Sequence, residues 1–252
     1  MNIRNFGWIS PSSLGRTHAG VSHAPSNARA MLPPAVRLKG VQHSPYDQGG
    51  VGSCVAQALA SAVRIVLANS GYDDELPARK DIYYRARAME GTTGLDHGCL
   101  IADGVKALRA GWLPESEWPH KPVWGPQWMA EPPPLPDDAP RIVNAEALAI
   151  EVDAMLWTLA SAVPVVIGLS IPQSFEEATG DVIEEPWGYT VGGHAMVIVG
   201  YDIPMKCVRI LNSWGSTWAD KSEAWLPWEY LAPAICGEAW AVRAVRRFAA
   251  TP

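Results

Sequence analysis

At 252 residues and 27.2 kDa the chain is long enough for one large domain, or for two small lobes sharing a cleft, with ample material for a hydrophobic core. Apolar residues make up 48% and charged residues 18%, the net charge is −6, and no block of Lys or Arg occurs. That balance fits an ordinary globular enzyme and argues against a nucleic-acid partner.

Residues 1–31 are rich in Gly, Ser, Asn and Pro without periodicity and are expected to form an extended arm or surface coil. The first ten residues lack the apolar run of a signal peptide. The greasiest stretch, Leu159 to Ile171, is interrupted by Pro164 and too short to span a bilayer. The expectation is a cytoplasmic protein without a membrane partner, or one delivered in a virion or by non-classical export. With no secretory signal, Cys54, Cys99, Cys207 and Cys236 are expected to be free thiols.

From Cys54 to Asn69 apolar residues recur at helical spacing, and Asn69-Ser70-Gly71 supplies a stop. A long buried helix is expected there, with Cys54 at its N-terminal end. Ala78 to Glu90 and Ile101 to Ala110 read as two further helices, the latter ended by Gly111. Trp112 to Pro140 is dominated by prolines and is expected to cross between two halves without regular structure. Glu146 to Ala162 is expected to be helical. Short apolar runs follow at Val163–Ser170, His194–Tyr201, Cys207–Asn212 and Ala239–Val245, and these read as strands. A helical first half and a strand-rich second half give an α+β protein, divided as arm 1–31, helical lobe 32–130 and β-rich lobe 131–252.

Three stretches carry the chemistry: Asp47-Gln48-Gly49-Gly50-Val51-Gly52-Ser53-Cys54, then Gly192-Gly193-His194-Ala195, then Asn212-Ser213-Trp214-Gly215. Each alone has a duller reading: a buried structural thiol, a strand-edge histidine, a turn closed by an aromatic. Their joint order, with His194 140 residues after Cys54 (194 − 54) and Asn212 158 after it (212 − 54), resembles the papain-like cysteine peptidases. Similarity extends over residues 32–245, through LPPAVRLKG, AVPVVIGLS, VGGHAMVIVGYD and VRILNSWGSTWADKSEAWLP.

The resemblance implies a two-lobe fold, with a helical left lobe, an antiparallel β-barrel-like right lobe and the active site in the cleft between them. It implies Cys54 as nucleophile, His194 as base, Asn212 as the group orienting His194, and Gln48 as oxyanion donor, with no cofactor or metal. A helix N-terminus and a nearby imidazolium both favour a thiolate. Gly98 would pair with extended substrate beside Gly193. Cys99 and Leu100 would border an apolar side-chain pocket facing Val166 or Ile167, and Trp214 would shield the His–Asn bond.

There are departures from the family pattern. Val51 and Val55 stand where papain has Cys and Trp, so one family disulfide cannot form; Cys236 lacks its usual partner. These losses fit a bacterial or phage-type intracellular variant. A polypeptide substrate is the leading expectation. The alternatives are a cell-wall amidase or transferase using the same triad, and a structural component of a virion or secretion assembly docked through the arm. About thirty residues are too few for the family's usual prodomain, so the arm could block the cleft, dock a partner or be loose, an ordered arm being the leading expectation.

Overall fold

The computed structural model describes residues 6–16, 20–41, 44–72 and 76–246; the remainder of the expected arm, residues 1–5 and 17–19, lies outside them. After a short helix α1 (Ala28–Met31) in the arm, the helical lobe holds α2 (Cys54–Asn69), α3 (Arg79–Ala88) and α4 (Ile101–Ala110). α2 begins at Cys54 and buries eleven of its sixteen residues, because its apolar positions spread over more than one face. It packs against α3, α4 and the sheet lobe, so the helix carrying Cys54 is held from several sides.

The second lobe is one antiparallel sheet. Its strands are β1 (Ala35–Arg37), β2 (Arg141–Ala147), β3 (Val165–Pro172), β4 (Thr190–Asp202), β5 (Cys207–Leu211), β6 (Glu223–Pro227) and β7 (Cys236–Arg246). The hydrogen-bonded order is β2-β7-β3-β4-β5-β6, with β1 joined to β4. The central pair sets the register that matters, with Leu169 opposite His194 and Ser170 opposite Gly193.

The expected helix over Glu146 to Ala162 is corrected. Residues to Ala147 belong to β2, and α5 runs only Val152–Ala160. Pairing of Ala145, Glu146 and Ala147 with β7 overrides their helical propensity. The proline-rich crossing carries one short 3-10 turn, Pro126–Trp128.

All four cysteines are free and buried, so other contacts brace the helical lobe. Arg87 is fully buried. It donates to the carbonyls of Thr93 at 2.8 Å, Leu95 at 2.7 Å and Trp128 at 2.9 Å, with its guanidinium 4.1 Å over the Tyr83 ring. Replacing it by Met should leave these carbonyls, that of buried Trp128 among them, without their donors, at a cost of about 3–5 kcal/mol. Urea unfolding checks this; a loss below about 1 kcal/mol would mean the clip is dispensable.

Candidate active site

The chain enters the site through a tight turn. Gly49, at φ +60°, lies so close to the proline crossing that a Cβ there would stand 2.2 Å from the Pro122 carbonyl oxygen. Gly50 N–H donates to that same oxygen at 2.9 Å. Gln48 is buried and held by hydrogen bonds at both its backbone and its side chain. Its backbone N–H donates to Ser213 O at 3.0 Å, its Oε1 accepts from Ser213 Oγ at 2.8 Å, and its Nε2 donates to Val51 O at 2.9 Å.

A hydrogen-bonded bridge links the glycine loop to the facing wall. Gly52 N–H donates to both Asp96 oxygens at 3.1 Å. Tyr83 Oη donates to Asp96 Oδ1 at 2.7 Å and accepts from Gly98 N–H at 3.0 Å. The glycine loop and the wall at Gly98 are thereby tied together without sulfur.

Across the cleft, His194 Nε2 lies 2.7 Å from Asn212 Oδ1. Ser213 N–H also donates to Oδ1 at 2.8 Å, which identifies that atom as the oxygen. Nε2 therefore carries a proton, and in the neutral ring Nδ1 keeps its lone pair. The Trp214 indole stacks on the imidazole with centroids 4.9 Å apart. Both rings are buried, so the His–Asn bond is screened from water.

Cys54 has no exposed surface. Burial pushes its thiol up to about 11, against which the backbone N–H groups of Ala195, Gly7, Val55 and Cys54 itself favour the thiolate. The Ala195 contact brings the residue after His194 to the sulfur. The expected constellation of Gln48, Cys54, His194, Asn212 and Trp214 thus converges where the two lobes meet.

The arm is not a surface coil. Residues 6–9 lie in the cleft: Trp8 N–H donates to Gly193 O at 2.9 Å, Cys99 N–H to Gly7 O at 2.9 Å, and Ile9 N–H to Cys99 O at 3.2 Å. Phe6 stands edge-on to His194 with centroids 6.1 Å apart. The Gly7 N–H reaches the Cys54 sulfur, so the arm backbone lies over the nucleophile. Farther on, Arg16 pairs with Glu90 at 3.1 Å and Asp103 at 3.3 Å. Ser22 hydrogen-bonds with Ala147 and Ala149 beside β2, and Arg29 pairs with Asp153 at 2.6 Å. The arm is therefore anchored to both lobes.

The pocket residues fall less simply. Backbone pairing with the arm runs through Cys99, while Gly98 gives the close approach, since a Cβ there would lie 2.2 Å from Gly7 O. Leu100 is the buried residue before α4. Gly168, not Ile167, lies under the Trp8 indole. Strand alternation turns Ile167 to the other face and leaves Val166 on the same face as Gly168. Sequence reasoning did not single out Phe6, Gly7, Trp8, Asp96 or Glu238. An aromatic pair flanking glycine in a polar coil and one Glu among the apolar residues that open a strand were the available signals.

Among the described residues no His, Cys, Asp and Glu cluster suits a metal ion, and no helix is long and apolar enough to cross a membrane. No family model matches the chain. It is similar to the crystal structure of xylellain, a cysteine protease from Xylella fastidiosa, with TM-score 0.84 and 29% identity over 97% of this chain and 98% of that one. A peptidase C1-like protein of Acanthamoeba polyphaga mimivirus is 26% identical over 221 residues, 80% of this chain and 70% of the viral one. A cathepsin B-like protein of Giardia intestinalis is 25% identical over 196 residues, 69% of this chain and 60% of its own length.

Proposed function

This chain is a papain-like cysteine peptidase, and on that premise we propose that it cleaves polypeptide through an acyl-enzyme on Cys54, from a form closed by its own N-terminal arm. The observation that carries the reading is the His194–Asn212 bond of 2.7 Å, beside a cysteine that opens a buried helix. In this mechanism Nδ1 of His194 takes the thiol proton, and the helix N-terminus and the new imidazolium stabilise the thiolate. The sulfur attacks the substrate carbonyl carbon. The oxyanion is held by the Cys54 N–H and the Nε2 amide group of Gln48, which Val51 O also orients. His194 then gives its proton to the leaving amine. In deacylation it takes a proton from water, which attacks the thioester and frees the sulfur.

Asn212 acts through His194, keeping the ring in the tautomer that leaves Nδ1 as base. Gln48→Ala should lower kcat about 10²- to 10³-fold while leaving alkylation of Cys54 within a few-fold. Stopped assays and intact mass separate these effects, and an equal loss in both would remove Gln48 from the oxyanion site.

The substrate class is tested by offering an unfolded polypeptide and purified peptidoglycan to a Trp8→Gly chain, in which the plug is weakened. Cleavage of the polypeptide, blocked by a thiol-directed epoxide, is expected. Release of cell-wall fragments with the polypeptide untouched would overturn the reading.

A further inference from the structure

We propose that the slot filled by Trp8 is a substrate side-chain pocket in which Glu238 selects a planar side chain bearing an N–H donor, tryptophan foremost. The inference rests on the peptidase reading above and names a feature of its substrate. It starts from an unusual buried acid. Glu238 has no exposed surface, although it is the one acidic residue of strand β7. Ile101 N–H donates to its Oε2 at 3.1 Å and Ala102 N–H to its Oε1 at 2.8 Å, so the carboxylate caps the N-terminus of α4. The Trp240 indole N–H donates to Oε1 at 2.9 Å, and the Trp8 indole N–H to Oε2 at 3.0 Å. Three of these donors belong to the body of the protein; the fourth arrives with the arm.

The slot is shaped for a flat ring. A Cβ at Gly168 would lie 2.2 Å from the Trp8 Nε1, and a Cβ at Gly237 would lie 2.9 Å from its Cη2. Side chains at either position would fill the space the indole occupies. Trp8 is only 5% exposed there. Its backbone is bonded to Gly193 on one wall, and its neighbours Gly7 and Ile9 are bonded to Cys99 on the other. Gly7, next in the chain, meets the Cys54 sulfur, so the slot lies one residue from the reacting bond.

When the arm withdraws, the slot opens with the Glu238 carboxylate at its end. An incoming indole restores the donor that Trp8 supplied to Oε2. A leucine covers the same oxygen, which the Ile101 N–H still reaches, without replacing the indole donor, and a buried polar group disfavours an analogue that lacks the matching donor. The pocket foreseen as apolar therefore carries a charge-assisted acceptor, and discrimination of roughly 10- to 100-fold follows from one such hydrogen bond.

The test uses the full chain with Trp8→Gly, which vacates the slot. Peptidyl chloromethyl ketones would carry Trp, benzothienylalanine or Leu two residues before the reactive carbon, and Cys54 alkylation would be followed by intact mass. Benzothienylalanine keeps the indole shape and puts sulfur in place of the N–H. Trp is expected to react roughly 10- to 100-fold faster than benzothienylalanine, and Glu238→Gln should reduce that ratio several-fold. Equal rates for Trp and benzothienylalanine would overturn the proposal. So would a ratio unchanged in a folded Glu238→Gln chain. The ligand pair decides by itself if that variant does not fold. Hydrolysis of the matching peptide amides is scored separately. Alkylation that discriminates without any hydrolysis sinks the peptidase reading and leaves the slot, and hydrolysis without discrimination does the reverse.

Discussion

In a chain opened by Trp8→Gly, Cys54→Ala or His194→Ala is expected to lower kcat for peptide hydrolysis by about 10⁵- to 10⁶-fold, the scale on which removing a nucleophile or its base abolishes covalent catalysis elsewhere. The two variants should not add when combined, because each alone disables the same step. They differ in a second readout. Cys54→Ala removes the alkylation target. His194→Ala keeps the thiol but loses its base, so alkylation should fall sharply near neutral pH and recover as pH rises toward the ordinary thiol range. Active-site titration with a thiol-directed epoxide across pH would show this. Substantial peptide hydrolysis by the Cys54→Ala chain would remove that residue as the nucleophile.

The second large effect concerns the arm. Trp8→Ala should raise the rate of Cys54 alkylation at pH 7 by about 10²- to 10³-fold, since truncating a buried Trp costs about 3–5 kcal/mol and each 1.4 kcal/mol is tenfold in the closed-to-open ratio. The indole also loses its bond to Glu238, while the ties at Arg16, Ser22 and Arg29 remain. The variant should thus open the cleft without releasing residues 20–31.

The pH dependence has a definite sign. With the arm seated, the Cys54 thiol sits at about 11 because it is buried. A lower value in the open form means that the closed form holds the proton more tightly. Closure is then fully present below the open-form pKa and weakens as pH rises from there toward about 11. Alkylation of the unmodified chain should accordingly rise more steeply above pH 8 than that of Trp8→Ala. Parallel profiles, with no rate gain from the substitution, would mean the arm does not control access.

Much of the framework was legible because it depends on short-range pattern. α2 begins and ends where the periodicity of Cys54 to Asn69 places it, and Ile101–Ala110 likewise matches α4. Both are runs whose own spacing buries a face. The motif stretches around Gln48, Cys54, His194 and Asn212 could be picked out because each combines a reactive side chain with glycines that let backbone approach closely. The strand over Glu146–Ala147 was missed, since pairing with β7 decides it and that partner lies nearly one hundred residues away in the chain.

By itself, then, the sequence determined the helical half, the main strands of the second half and the candidate chemistry, all of which are written in local spacing and residue type. Only the tertiary structure decided what stands over Cys54 and what lies at the end of the neighbouring slot. Phe6-Gly7-Trp8 gives no periodic signal, and its placement follows from shape: glycines at 168, 193 and 237 clear room for the segment, and Cys99 and Gly193 bond its backbone. Glu238 reads only as an isolated acid at the start of a strand until α4 turns its first amides toward it and two indoles donate to it. A buried carboxylate is tolerable only where such donors converge, and that convergence belongs to the fold.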